Sequence, residues 1–547
     1  MRSKTSDSGF SDETIKRLRD SVFLRRIEEA TEWLQPRRQQ VLSLKPTDHN
    51  AAKTVGYLSQ LVDSGCIHHD IVKELVARFS GASLGTLPLS DYIHLKLAEG
   101  VAGSTAENTE DAINHFDFVI SLREDVILDD GLLALAHFWK GRCKRKQGKY
   151  TAALDCVKKA QELAVALGLH ALLAVIQVLE GFLYFDQERL DEASAILRQA
   201  ESVLRETDDV MMLGNIHSGY GRIALCAGRY DQALTHLASA MDWFAKRAPA
   251  HRNIARSLVT GAHARRLISL YAARKIDAEA VERRGVGQAD PSGVKSAIVS
   301  RRRLDELRTE ALSNLAQAEE ISRPRSEGRL LGLARLTRGF LCLDIGDLEH
   351  AGIEATAAYD LIPKADRLSI ARVRILQSMV ESAKYEEGID ERQNATPRIL
   401  RAQNYAKEAL ACARETEDRR LTARAYMCYG LTMCAEPFAD PESARECYEE
   451  ASKYFNSAHR DYLWPDYQAF KAKVLNRGGS VDVRFQKWSR GLTDGESFHQ
   501  MVQEFADIII PKVWEREGRK ISRVATTLSI SPKKVRRVLG RLGLKSG

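Results

Sequence analysis

Lys533, Lys534, Arg536, Arg537 and Arg541 fall on one side of a short segment whose other side carries Val535, Val538 and Leu539. Ammonium and guanidinium groups are donors without acceptors, so the chemistry of such a face is phosphate neutralisation and hydrogen bonding to base edges. The apolar residues stand at i, i+3 and i+4, which predicts a helix with one buried stripe. Ser531 directly precedes Pro532, pairing a preferred N-cap with the helical position that favours proline. A first helix over about 521–528 and a tight turn lead into it. Arg519, Lys520 and Arg523 flank that first helix as phosphate-gripping candidates, and Ser531 joins the five cations as a DNA-contact candidate.

Charge is concentrated at this end. The chain has a formal charge of +7, yet 512–547 contains eleven basic residues against Glu515 and Glu517, so the preceding body is close to neutral. Localised basic charge is the footprint of a nucleic-acid contact surface. From Val524 onward the segment resembles the helix-turn-helix of the Fis family and of the C-terminal domains of NtrC-like activators. The matching residues are Val524-Ala525, Leu528, Ile530-Ser531, Leu539 and Gly543-Leu544. Ser529 stands where that family places its turn glycine, which implies a non-glycine residue at positive φ. The resemblance implies double-stranded DNA as a partner, a two-fold dimer and a bacterial source. Ahead of this module, 496–517 reads as an amphipathic helix with Phe498, Val502, Phe505 and Ile509 on one stripe, suited either to pairing with a second copy or to packing on the preceding body, and Pro511 should kink or end it.

The elements that must position this face are announced by an internal period. Gly100, Gly141, Gly181, Gly221 and Gly261 recur about every 40 residues. Ala112, Ala153, Ala193 and Ala233 follow twelve residues after the first four, and Val119, Ala160, Ala200 and Ala240 seven residues later. A fixed period of small residues predicts stacked helical hairpins that cross closely. With Gly148-Lys149-Tyr150 and Gly228-Arg229-Tyr230 at the turns, the pattern resembles the tetratricopeptide repeat, lengthened from the usual 34 residues. The expected fold is all-α: a disordered start at 1–10, a helical cap at 11–88, and a tetratricopeptide-like superhelix of about eight hairpins at 89–457. Loops are expected near 281–297 and 388–397. A connecting segment at 458–495, the amphipathic helix at 496–517 and the helix-turn-helix at 518–547 complete the chain.

The repeat resemblance implies a concave groove made by the first helix of each hairpin. Its positions carry over to Phe138, Arg142, Arg145 and Lys146, then Phe182 and Phe185, then Asn215 and Arg222, then Arg265 and Arg266. A protein or peptide ligand with acidic and aliphatic side chains suits such a surface.

Other chemistry is sparse. No Walker A sequence is present. Gly285-Val286-Gly287 and Ser292-Gly293-Val294-Lys295 lie in a polar stretch without the flanking motifs their chemistries need. Cys66, His68 and His69 lack a second ligand cluster, so no metal and no cofactor are expected. Nine scattered cysteines read as reduced residues of a cytoplasmic protein, and no apolar run reaches membrane-spanning length. The reading that joins these observations is a non-enzymatic, DNA-binding regulator with a partner-binding solenoid. The alternative is a scaffold whose basic end contacts RNA or an acidic protein.

Overall fold

A computed structural model of the protein describes residues 9–79, 81, 85–122, 129–286, 291–325, 327–390, 396–435, 439–455, 462–476 and 497–544. Among these the regular structure is helical, apart from one isolated bridge between Gly9 and His49. Four helices open the chain: α1 (Asp12–Phe23), α2 (Ile27–Leu42), α3 (Ala51–Gln60) and α4 (His69–Phe79). The repeated small-residue spacing corresponds to eight hairpins. These are α5 (Leu89–Thr105) with α6 (Thr109–Ser121), α7 (Asp130–Lys146) with α8 (Tyr150–Ala166), α9 (His170–Asp186) with α10 (Leu190–Leu204), and α11 (Val210–Cys226) with α12 (Tyr230–Arg247). The second half pairs α13 (Arg252–Val286) with α14 (Pro291–Ser322), α15 (Gly328–Asp344) with α16 (Leu348–Leu361), α17 (Arg367–Asp390) with α18 (Thr396–Arg414), and α19 (Arg419–Met433) with α20 (Pro441–Ser452). α21 (Trp464–Asn476) follows.

Local sequence explains where these helices begin. The side chains of Asp129, Asp209 and Asp418 accept hydrogen bonds from the backbone N–H groups of Gly131, Met212 and Leu421, capping α7, α11 and α19. Within each hairpin the two helices meet through small residues: Ala153, Ala160, Ala193, Ala200, Ala233 and Ala240 are all fully buried. At Gly221 an added Cβ would stand 2.9 Å from Leu237 Cγ and 3.2 Å from the carbonyl oxygen of Ala233. Nothing larger than glycine fits that crossing without moving the partner helix.

Four boundaries differ from the sequence expectation. Residues 1–8 of the expected disordered start lie outside the described residues, but Phe10 is buried against Trp33, ring centroids 5.1 Å apart. The loop expected at 281–297 is mostly helical backbone, because α13 runs to Val286 and α14 starts at Pro291, where proline fits a first helical turn; 287–290 lie outside the described residues. At 388–397, α17 continues to Asp390 and α18 begins at Thr396; 391–395 lie outside them. Of the connecting segment, the described part includes α21.

The N-terminal helices reach further than a cap on the first hairpin. Arg25 is buried with its Nη2 2.6 Å from Asp209 Oδ2, and the Asp208 carboxylate accepts from the backbone N–H groups of Ile27 and Glu28. These bonds tie the start of α2 to the loop before α11, far along the solenoid.

Past the solenoid, α22 (Phe498–Arg516), α23 (Ile521–Thr527) and α24 (Pro532–Arg541) form a separate core of Ile510, Val513, Trp514, Val524, Val535, Val538 and Leu539. Pro511 does not end α22. Ile510, Val513 and Trp514, on either side of it, are buried against both short helices, and that burial outweighs the lost backbone hydrogen bond.

Gly221→Ala is expected to lower the unfolding free energy by about 1–3 kcal/mol, the usual result of overpacking a closely packed crossing. Thermal or denaturant unfolding measures this, and an unchanged midpoint would contradict the packing described.

Candidate functional site

The first helices of successive hairpins, α7, α9, α11, α13, α15, α17 and α19, face a common interior, a cavity of about 500 Å³. The superhelix winds far enough to touch itself around this space. The α7–α8 turn meets the α18–α19 turn: Glu417 N–H donates to Gly148 O at 2.8 Å, and both N–H and Oγ1–H of Thr151 donate to Glu417 Oε2 at 2.8 Å. Gly148 has φ of 74° and a Cβ there would lie 2.7 Å from Thr416 Cβ, so glycine is required twice over. Further along, the Tyr271 hydroxyl donates to the carbonyl of Tyr462. The concave surface expected from the sequence is a lumen across whose rim the early and late hairpins touch.

Its wall is strongly cationic, with nine Lys and Arg side chains against three carboxylates, a formal excess of six. The carboxylates are tightly used. Against the burial that would raise it, Arg142 and Arg252 hold the Asp63 carboxyl well below its usual range, the latter at 2.9 Å. Asp186 Oδ2 accepts from Arg145 Nε at 2.6 Å while its other oxygen lies 3.5 Å from Arg222 Nη2. Guanidinium groups also lie on phenylalanine faces: Arg145 and Arg222 at 4.9 and 5.5 Å from the Phe182 centroid, Arg222 and Arg420 at 4.4 and 5.7 Å from that of Phe185. This ladder joins α7, α9 and α11 to α19 across the lumen, each rung a cation–π contact partly desolvated by its neighbours.

Phe138, Arg142, Arg145, Lys146, Phe182, Phe185, Asn215 and Arg222 line the lumen. Arg265 does not: its Nε bonds Glu310 of α14 at 2.8 Å, on the outer side of the hairpin. Arg266 is buried, bonded through Nε and Nη2 to both oxygens of Asp344 at 2.6 and 2.9 Å and stacked 4.7 Å from the Phe340 centroid. Its donors are therefore committed within the fold. Sequence spacing missed Arg256, Arg329, Arg372, Arg420 and Arg424, which the later hairpins bring to the same wall. Arg256 belongs to the regularly spaced Gly261 hairpin but stands beside, not at, a carried-over groove position, and the hairpins of the other four depart from the regular spacing.

On the C-terminal module, Ser531 caps α24 through its side chain, which accepts from Lys534 N–H at 3.2 Å. Lys533, Arg536 and Arg537 are exposed and Lys534 half-buried, on the side away from the module core. Ser529 has φ of 52°, so the turn does take the left-handed conformation without glycine. Lys520 and Arg523 are exposed. Arg519, also at positive φ, sets its guanidinium 5.5 Å from the Trp514 centroid, and Arg541 is paired with Asp507 of α22. Those two cations are engaged within the module. Phe498, Val502 and Phe505 leave an exposed apolar stripe on the first turns of α22, whereas Ile509 packs into the module core.

His68 and His69 hydrogen-bond range contacts go to Asp70, at 3.1 and 3.2 Å, and one potential ligand atom from each of the three lies within 4.8 Å of the others. Cys66 is not in that group. All nine cysteines are free, and seven of them are buried. Among the described residues no helix is long and apolar enough to cross a membrane.

Fold and lumen together define a helical-repeat protein wound around a cationic lumen. Residues 132–206, covering α7 to α10, match the tetratricopeptide repeat family. The sequence has no significant match among curated proteins. Among solved structures it is similar to a Rap protein complexed with competence and sporulation factor, at 13% identity over 74% of this chain and 100% of that one, TM-score 0.47. It is also similar to a monomeric mutant of IFIT1 with Gppp-AAAA, at 14% identity over 82% of this chain and 96% of that one, TM-score 0.42.

Asp186→Asn removes the counter-charge of Arg145 and Arg222 together and is expected to cost about 1–3 kcal/mol of stability, below the value for a fully buried pair because both guanidinium groups keep some hydration. Equilibrium unfolding against the parent protein checks it. Glu417→Ala removes the acceptor of both Thr151 donors and should speed amide exchange at 148–151 and 416–418 while leaving α9 and α10 protected. Equal protection in both proteins would show that the seam does not hold the turns together.

Proposed function

We propose that this chain is a non-enzymatic, DNA-binding transcriptional regulator: the solenoid binds a protein or peptide partner, and the C-terminal module reads double-stranded DNA. The observation that carries the DNA reading is the capped helix α24, which buries Val535, Val538 and Leu539 and turns Lys533, Arg536 and Arg537 to solvent. A helix so oriented is held by its apolar side while its cations remain available for phosphates and base edges. Lys520 and Arg523, exposed at the start of α23, add phosphate contacts in this reading. The partner reading is supported by the tetratricopeptide match over 132–206 and by the lumen. The apolar start of α22 suits pairing with a second copy, which would present two such helices to a two-fold site.

Selection of genomic DNA fragments by the full-length protein at near-physiological salt, beside a form truncated before Gly518, is expected to return one short two-fold symmetric motif with the full-length protein alone. Arg537→Ala should then cost about 1–3 kcal/mol and relax preference at one base if Arg537 touches a base edge. Recovery without a shared motif, or equal recovery by the truncated form, overturns the regulator and leaves a scaffold whose basic end meets RNA or an acidic protein.

A further inference from the structure

Lys146, Arg256 and Arg424 face the lumen and, among the described residues, none has a carboxylate within salt-bridge distance. Their neighbours satisfy them in other ways: Lys146 Nζ donates to Ser104 O at 2.6 Å, Arg256 Nη1 to Asn253 Oδ1 at 3.2 Å, and Arg424 stacks 4.7 Å from the Phe340 centroid. Arg256 is exposed to the lumen and Lys146 and Arg424 are half-buried, so all three cations stay within reach of a bound anion, and the excess positive charge of the wall attracts one. Two poles result. Lys146 and Arg256 lie together with Arg142 and Arg252, whereas Arg424 lies with Arg266 and Arg372 around His263.

The distance between the poles follows from α13, which supplies Arg256 to one and His263 and Arg266 to the other. At 1.5 Å per helical residue these positions are about 10–15 Å apart. An extended chain covers that in about three or four residues. The same wall carries aliphatic side chains, Val175, Val178, Met212, Val259, Leu333 and Leu336. Phe182, Phe185 and Phe340 each carry two guanidinium groups, and Phe138 is buried beneath that of Arg142. A cavity of about 500 Å³ is in the range of small ligands rather than folded domains.

We propose that the lumen is the binding chamber for a short, extended acidic peptide, with two carboxylates three or four residues apart, one held at the Lys146–Arg256 pole and the other at the Arg424 pole, and aliphatic side chains between them. This deepens the reading of the solenoid as the partner-binding part and is independent of what the C-terminal module contacts. The seam of Thr151 with Glu417 and the Phe185–Arg420 contact border the chamber. The geometry also predicts proton uptake on binding. Burial, with Arg252, Arg142 and Arg256 nearby and Cys143 opposing them, pushes the Lys146 ammonium down to about 7. An anion beside it raises that value again, so binding weakens as pH rises from 7 to 9.

The test uses the full-length protein and an unlabelled library of synthetic pentapeptides randomised over Glu, Leu, Ser and Lys. Peptides retained with the protein on ultrafiltration are identified by mass, in the absence of DNA. Retained peptides should carry two Glu residues separated by two or three positions that include Leu. Arg256→Gln and Arg424→Gln should each reduce retention by about tenfold or more while unfolding at the same temperature as the parent. Should either variant fail to fold, the pH series on the parent protein decides, with retention expected to fall between pH 7 and 9. No enrichment, enrichment of Lys-containing peptides, or the same peptides retained by both folded variants overturns the proposal. So does tight binding of inorganic pyrophosphate with no peptide retained, which would assign the chamber to phosphate ligands. DNA selection by the same preparation is read separately, so a failed peptide screen leaves the DNA result standing.

Discussion

The approach of the two helices within each hairpin governs what the rest of the chain can do. Ala153, Ala193 and Ala233 are fully buried at these crossings, and Gly221 leaves no room for a methyl group. Small side chains let helices cross closely, and a crossing repeated at one angle accumulates into a superhelix. Eight such hairpins turn far enough that the α7–α8 turn meets the α18–α19 turn. The lumen therefore exists because alanines and glycines recur, not because any one helix is shaped to line it.

Closure changes the electrostatics of the residues inside. On an open surface, cations such as Arg145 and Arg222 would be solvated and their contacts weak. Inside the lumen, Asp186 between them and the Phe182 ring beside them offset part of the desolvation cost. His263 shows the other outcome. Burial first, then Arg266, Arg424 and Arg372, push its imidazole down to about 3, so it remains neutral at physiological pH. A neutral histidine among arginines adds no further repulsion, and the excess positive charge rests on the lysine and arginine side chains of the wall.

The C-terminal module shows the reverse case, in which short-range rules carry most of the result. The cap at Ser531, the proline at the first position of α24 and the buried Val535, Val538 and Leu539 follow from neighbours within one or two turns. Ser529 at φ of 52° also follows, because the turn geometry requires the left-handed region whatever residue occupies it. Pro511 behaves otherwise. Its local penalty is real, but α22 continues through it because Trp514 and Val513 are buried against helices that follow in sequence.

By itself the amino-acid sequence determined the all-helical class, the small-residue crossings, the helix caps and the sidedness of α24, since these rest on spacings of three, four or twelve residues along one chain. It also placed Phe138, Arg145 and Phe182 on the inner face, where the repeat is regular. Tertiary structure alone decided that the groove closes, that Arg256, Arg372 and Arg424 join the same wall, that Arg265 turns outward to Glu310, and that Arg25 anchors the N-terminal helices to Asp209. Each of those outcomes joins residues separated by tens to hundreds of positions, and depends on small rotations summed over several hairpins, which no local spacing records.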